Sequence, residues 1–415
     1  MNAEDEVVAR ILDTMRRAAD PSAMTREFCG RVFPDDEAVR VLAVGKAGAT
    51  MMRAGLDMLG SRVSAGVVIA PEEQCEVFDP VRGVRVMPSD HPLPTERSVA
   101  AAEALLSFVA EGEEPLIVLL SGGGSAMTVA PIEGVSLDDL RSIADGLMRA
   151  GATIDELNCV RKHLDLAKGG RVGLATNGRP VAVGVISDVM GDRLDVISSG
   201  PFVGDASTFA EARHVLDRTG VSVSMVNAVI EAGEGGLIEE TPKPGDERLA
   251  AIMHEVLASN VIVTQAAAAE IERLGMPVEP HLAQAGEAGD WGVRVADRLK
   301  RGAGAIVLGG ECVVSGVSKG SLGGPMQEAV LAAGHALRDV PGWLVIGYAT
   351  DGVDGPTPAA GAVLTPESLP NAKRCAAALK AHNSFSTLAQ PHALINGAPT
   401  GTNLNDVLIG IRWPT

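Results

Sequence analysis

Pro115 to Leu120 (PLIVLL) runs without a polar side chain straight into Ser121-Gly122-Gly123-Gly124-Ser125. A run that short, apolar at both odd and even positions, suits a strand buried on both faces and ended by a tight turn. The same pattern recurs in Ala38 to Gly45 (AVRVLAVG), Gly66 to Ala70, Pro180 to Ile186 (PVAVGVI), Asn260 to Thr264 (NVIVT), Ala305 to Leu308 and Trp343 to Tyr348 (WLVIGY). Helical stretches lie between these runs. They include AGATMMRAGLDML, Thr95 to Val109 with Thr95 and Ser98 as N-terminal acceptors, a helix from Leu137, Ile154 to Ala167, AAAAEIERLG, and Met326 to Ala336. Short buried strands alternating with helices predict an α/β fold with largely parallel sheets covered on both faces.

A chain of 415 residues suits two or three domains. Gly233 to Gly245 (GEGGLIEETPKPG) concentrates Gly, Pro and acids and reads as the boundary. The expected division is therefore an N-terminal α/β domain over 1–240 and a smaller C-terminal one over 241–415.

Composition narrows the function. The net charge of −18 repels phosphate backbones and anionic headgroups, so nucleic acid and membrane surfaces are set aside as partners. Aromatics at 3% are too sparse for base-stacking platforms. No apolar stretch of about 18 residues predicts a membrane span. The acidic start is unlike a signal peptide, and the widely spaced cysteines form no CxxC. A cytoplasmic protein with free thiols and a small-molecule substrate is expected, either a monomer or a homodimer.

Open α/β sheets bind ligands beyond the carboxyl ends of their strands. The residues found there are Gly45-Lys46-Ala47-Gly48, the SGGGSA run, Ser187-Asp188 through Gly191-Asp192, Ser198-Ser199-Gly200-Pro201, Glu311, and Thr350-Asp351-Gly352-Val353-Asp354-Gly355. Glycines let backbone N–H groups converge on an anion, a following helix adds its positive end, a lysine meets ligand charge, and paired carboxylates suit Mg²⁺ shared with phosphate. Each also has a plain structural reading: a bare turn, a lysine paired with an acid, or turn-forming aspartates. Taken together they suggest phosphoryl transfer, in which positioning and charge neutralisation do most of the work. Walker A, GxGxxG and HExxH patterns are absent, which counts against P-loop, dinucleotide and zinc chemistry.

With VGKAG, SDHPLP, SGGGSA, NCVRKHLDLAKGGR, ISDVMGD, SSGP, GGE, TDGVDGPT and TGTNLND in one order, the chain resembles the glycerate 2-kinase family, whose C-terminal part is called the MOFRL domain. The resemblance implies a Rossmann-like N-terminal domain and an active site in the interdomain cleft, with the last segment of the chain returning to that cleft. It also implies an ATP- and Mg²⁺-dependent kinase that phosphorylates the 2-hydroxyl of D-glycerate. Carried over, Lys46 is the catalytic lysine, and Asp188 or Asp351 accepts the hydroxyl proton. Asn158, Arg161, Lys162 and Ser125 contact substrate. Gly122, Gly123, Gly124, Ser125, Glu311, Thr402, Asn403 and Asn405 serve ATP, and Asp188, Asp192, Asp351 and Asp354 serve the metal.

The chain departs from the family pattern in places. A GGRNQE segment reads Gly323-Gly324-Pro325-Met326-Gln327-Glu328, so a guanidinium is replaced by proline. Gly289 stands where a GEAR-like arginine is expected, Pro358 replaces an acid, and Asp165 replaces a serine. Three readings follow. One is a kinase on D-glycerate with Lys319 or Arg171 standing in for the lost cation. The others are a phosphotransferase of the same fold for another hydroxy acid or polyol, and a non-catalytic nucleotide-binding relative.

Overall fold

The computed structural model describes residues 3–33, 37–79, 81–279 and 283–414. The chain forms two compact units, one over Pro21–Leu257 and one joining Met1–Asp20 to Ala258–Thr415.

The first unit carries strands β1 (Val39–Val44), β2 (Val63–Ala70), β3 (Val84–Pro88), β4 (Leu116–Leu120), β5 (Val181–Ile186) and β6 (Ile252–Ala258). They form one sheet in the order β3-β2-β1-β4-β5-β6, and β1 to β5 pair in parallel. That is the doubly wound Rossmann order, whose direction reverses between β1 and β4. Both strands are buried along their whole length, as their unbroken apolar runs require. Helix Glu96–Ala110 starts at Thr95 in a capping box closed by Ser98.

The second unit carries β7 (Val278–Glu279), β8 (Ala283–Glu287), β9 (Gly304–Val313), β10 (Trp343–Ala349), β11 (Ala359–Leu364), β12 (Leu394–Asn396) and β13 (Asp406–Arg412). Its sheet runs β12-β11-β10-β13-β9-β7, with β8 also on β9. Here the expectation of largely parallel strands is corrected. β9, β13, β10, β11 and β12 pair antiparallel, and only β7 and β8 are parallel to β9. The loop from β10 to β11 is too short for a helical crossover, so the chain turns back on itself. Helices Ala288–Lys300 and Pro325–Ala336 cover the sheet over a core that includes Trp291, Val330 and Trp343.

Two further expectations change. Asn260 to Thr264 opens the helix Asn260–Arg273 and forms no strand. The Ser259 hydroxyl accepts the Ile262 N–H, and burial of Val263 and Thr264 outweighs their β preference. The glycine- and proline-rich stretch before residue 245 lies inside the first unit, and the division between units falls at 257/258, away from the expected 240/241. Its turns are tied down: the buried Thr241 donates to Asp205, the Glu240 carboxylate meets His163, and the Asp205 N–H donates to the Pro242 carbonyl. All five cysteines are free thiols, and no helix among the described residues is long and apolar enough to cross a membrane.

Candidate active site

The reversal of strand order puts the ends of β1 and β4 side by side. Gly45 leaves β1 at φ 120°, where any side chain would drive into the Ser121 backbone. The Lys46 N–H donates to the Gly122 carbonyl (2.9 Å), the Ala47 N–H donates to the Ser121 hydroxyl (3.0 Å), and the Gln74 amide donates to the Lys46 carbonyl. Lys46 is half-buried. A Cβ on Gly122 would collide with the Asp188 carboxylate, and one on Gly124 with the Ser198 hydroxyl. Gly123, at φ 89°, has the His91 ring and the Lys46 stem beside it, 3.1 and 3.2 Å from where a Cβ would sit. The glycines are therefore demanded by close approach: Lys46, His91, Asp188 and Ser198 all press on one thin loop.

The helix after that loop, Gly124–Met127, is a single turn, so the expected contribution of a helix N-terminus to anion binding is corrected to a small one. Burial pushes the Asp188 carboxyl above the usual carboxylate range, with the Lys46 charge pulling it back. Burial, aided by Lys46, lowers the His91 imidazole. Asp192 lies further along the Asp188 loop at φ 53°.

Beside the glycine loop lies a polar cluster. The Ser125 and Ser199 hydroxyls are 2.8 Å apart, and Ser199 donates to the Asn158 side-chain oxygen (3.2 Å). Ser198, Ser199 and Gly200 all adopt left-handed backbone angles, a strained arrangement for the two serines. The Arg161 guanidinium donates to the Ser125 carbonyl (3.3 Å) and forms no ion pair among the described residues, while Asp165 acts on it at longer range. Lys162 differs from expectation: it is buried in an ion pair with Asp205 (3.1 Å) and so is spent on the fold. Arg171 is half-buried and donates to the Lys162 and Glu239 carbonyls, and Lys319 is exposed.

In the second unit the TDGVDG and TGTNLND segments are laced together. Thr350 donates its hydroxyl to the Asn405 carbonyl and accepts the Leu404 N–H, while Thr400 donates to the Thr350 carbonyl. Asn403 accepts the Asn405 N–H, and Thr402 is buried. Asp351 accepts the Val353 N–H. Asp354, expected as a metal ligand, is corrected to a helix cap. It is 1% exposed, and its two oxygens accept the Met326 and Gln327 N–H groups at the start of helix Pro325–Ala336. Glu311 is exposed on β9, which runs through it and does not end before it. Asp406, passed over in the sequence although it closes the TGTNLND motif, accepts the Cys312 N–H. Burial and the nearby Asp354 charge push its carboxyl up to about 8. Pro325 occupies the first helical position and Met326 is fully buried, so this loop offers no cation. Among the described residues no three His, Cys, Asp or Glu side chains gather as a metal site.

Comparison with known proteins bears on this geometry. Residues 7–233 match a domain of unknown function, DUF4147, and residues 304–406 match the MOFRL family. The chain is 36% identical to a glycerate 2-kinase of Pyrococcus horikoshii, over 92% of this chain and 89% of that protein. It is 34% identical to a D-glycerate 2-kinase of Thermotoga maritima, over 90% of each. A crystal structure of glycerate kinase from Thermotoga maritima superposes with a TM-score of 0.89 at 30% identity, over 100% of both chains. With its parallel sheet in Rossmann order, its lysine and glycine loop at the reversal point and these relatives along most of its length, the chain belongs to the glycerate 2-kinase family.

Proposed function

We propose that the protein transfers the γ-phosphoryl group of ATP to the 2-hydroxyl of D-glycerate, giving 2-phosphoglycerate and ADP. The observation that carries this reading is the convergence of Lys46, the Gly122–Gly124 loop and Asp188 at the carboxyl ends of β1, β4 and β5. Phosphoryl transfer needs a fixed cation, a backbone able to approach phosphate closely, and a base for the attacking hydroxyl. Lys46 supplies the first and the glycines the second. Asp188, held above its usual range, is suited to take the hydroxyl proton as the oxygen–phosphorus bond forms and the bond to the ADP oxygen breaks.

Arg161 is the group for the glycerate carboxylate. It is a half-buried guanidinium without an ion-pair partner among the described residues, beside the Ser125, Ser199 and Asn158 cluster. The acids present fit a Mg²⁺ ion that arrives on nucleotide phosphates and takes one or two protein carboxylates, and they do not fit an all-protein cage. Within the first unit Asp192, on the loop that also carries Asp188, is the carboxylate that would hold it, and the ion would neutralise phosphate charge there.

Incubation with MgATP and D-glycerate is expected to yield ADP and 2-phosphoglycerate by mass spectrometry. Lys46→Ala is expected to lower kcat by about 10²–10³-fold with an unchanged unfolding midpoint, since it removes one preorganised charge. A second reading, a different hydroxy acid or polyol as acceptor, is favoured by Pro325 and the buried Met326, which leave that loop without a cation. Turnover of such an acceptor, with none of D-glycerate, would decide for it.

A further inference from the structure

The His91 segment is pinned on both sides. The Ser89 hydroxyl donates to the Met127 carbonyl (2.8 Å), and the Asp90 carboxylate accepts from Thr95, which itself caps helix Glu96–Ala110. Between these anchors the His91 side chain is exposed and makes no hydrogen bond to another described residue. The fold makes no use of the ring's hydrogen-bonding capacity. Its Cδ2 edge lies against Gly123, beside the Lys46 stem, and Nε2 is the ring nitrogen bonded to that carbon. A neutral imidazole there keeps one N–H to donate, and partial desolvation against the loop together with the Lys46 charge favours the neutral form.

We propose that His91 is a further catalytic residue, donating a hydrogen bond to the same phosphoryl group that Lys46 and the Gly122–Gly123 loop receive. The inference rests on the kinase reading above. A neutral donor in that position would stabilise charge on the equatorial oxygens as the group moves, without the cost of a second buried cation beside Lys46.

The test uses the full chain with ring-labelled histidine, the His91 signals being assigned by their loss in His91→Gln. Titration with inorganic phosphate is expected to move those signals. In turnover, His91→Ala is expected to lower kcat by about 10²–10³-fold with KM for both substrates within about threefold, and His91→Gln, which keeps a donor, to recover part of it. Unfolding midpoints of the variants should match the parent, because the ring bonds to nothing in the described fold. Unmoved His91 signals, or a kcat within about threefold in both variants, overturn the proposal. If the parent protein makes no 2-phosphoglycerate, the kinase reading fails on that result, and the phosphate titration still decides on His91.

Discussion

Arg161 is charged, half-buried and donates to a single described carbonyl. A guanidinium kept in such a place is poised for a planar anion, and a carboxylate of glycerate matches its fork. Arg161→Met is therefore expected to raise KM for D-glycerate by about 10–100-fold, the worth of charge-assisted hydrogen bonds, while KM for ATP stays within about threefold. Steady-state kinetics with each substrate varied in turn checks this, and equal rises in both constants would sink the assignment. Lys46, Asp188 and the glycine run were legible because each directly follows an apolar strand. His91 stands in the SDHPLP motif but without a role, because it follows β3, an edge strand only partly buried, with Pro88 at its end and no apolar run to announce it. The sequence shows Ser199 within SSGP and no more, since its left-handed backbone and its bond to Ser125 have no sequence signal.

Among the elements, the segment from Asp165 to Arg171 repays attention. Lys168, 1% exposed, spreads its three donors over Asp165 (2.9 Å), the Ser125 carbonyl (3.0 Å) and the Thr128 carbonyl (2.8 Å). Asp165 also accepts the Ala130 and Ala167 N–H groups. The pair staples the turn after β4 to the turn before helix Arg171–Leu174 and fixes where Ser125 sits. Lys168→Met leaves a buried carboxylate without its counterion and is expected to cost about 3–5 kcal/mol in urea unfolding. Adding Asp165→Asn should restore most of that stability but not kcat, because the Ser125 carbonyl still lacks the Lys168 donor and keeps only Arg161. If the double variant recovers both, the pair has no positioning role. The helical and parallel-strand elements of the first unit were readable from period and capping. The start of helix Asn260–Arg273 was not, because β-branched residues in its first turn mimic a strand until the Ser259 cap is seen.

For the whole molecule, acidity has a thermodynamic side. Asp406 is held at about 8 and Asp354 at about 6, both chiefly by burial. In the unfolded chain each ionises near the ordinary value of about 4. As pH rises from about 4, the unfolded state therefore loses these protons first, and stability falls until each group ionises in the folded state as well. Asp354 adds its penalty up to about pH 6 and Asp406 up to about pH 8. Asp406→Asn lacks the second penalty, so its unfolding free energy relative to the parent should climb between pH 5 and pH 9, by an amount on the order of a few kcal/mol. A constant difference across that range would show that Asp406 titrates normally. Little of the second unit's topology was readable, because its sheet is assembled from distant segments. β13, for example, lies between β9 and β10.

The N-terminal helix Ala3–Ala18 belongs to the unit built mainly from residues after 257. There Arg10 meets Glu270 (2.7 Å), and Arg16 lies 5.8 Å from the Tyr348 ring centre. On a ribosome this helix emerges well before its partners. At about 5–20 residues per second, it waits some tens of seconds with an apolar face and nothing to cover it, while the continuous segment from Pro21 to Leu257 has time to fold around its own sheet. The nascent chain is thus obliged to keep this helix in reserve until the segments that cover it are made.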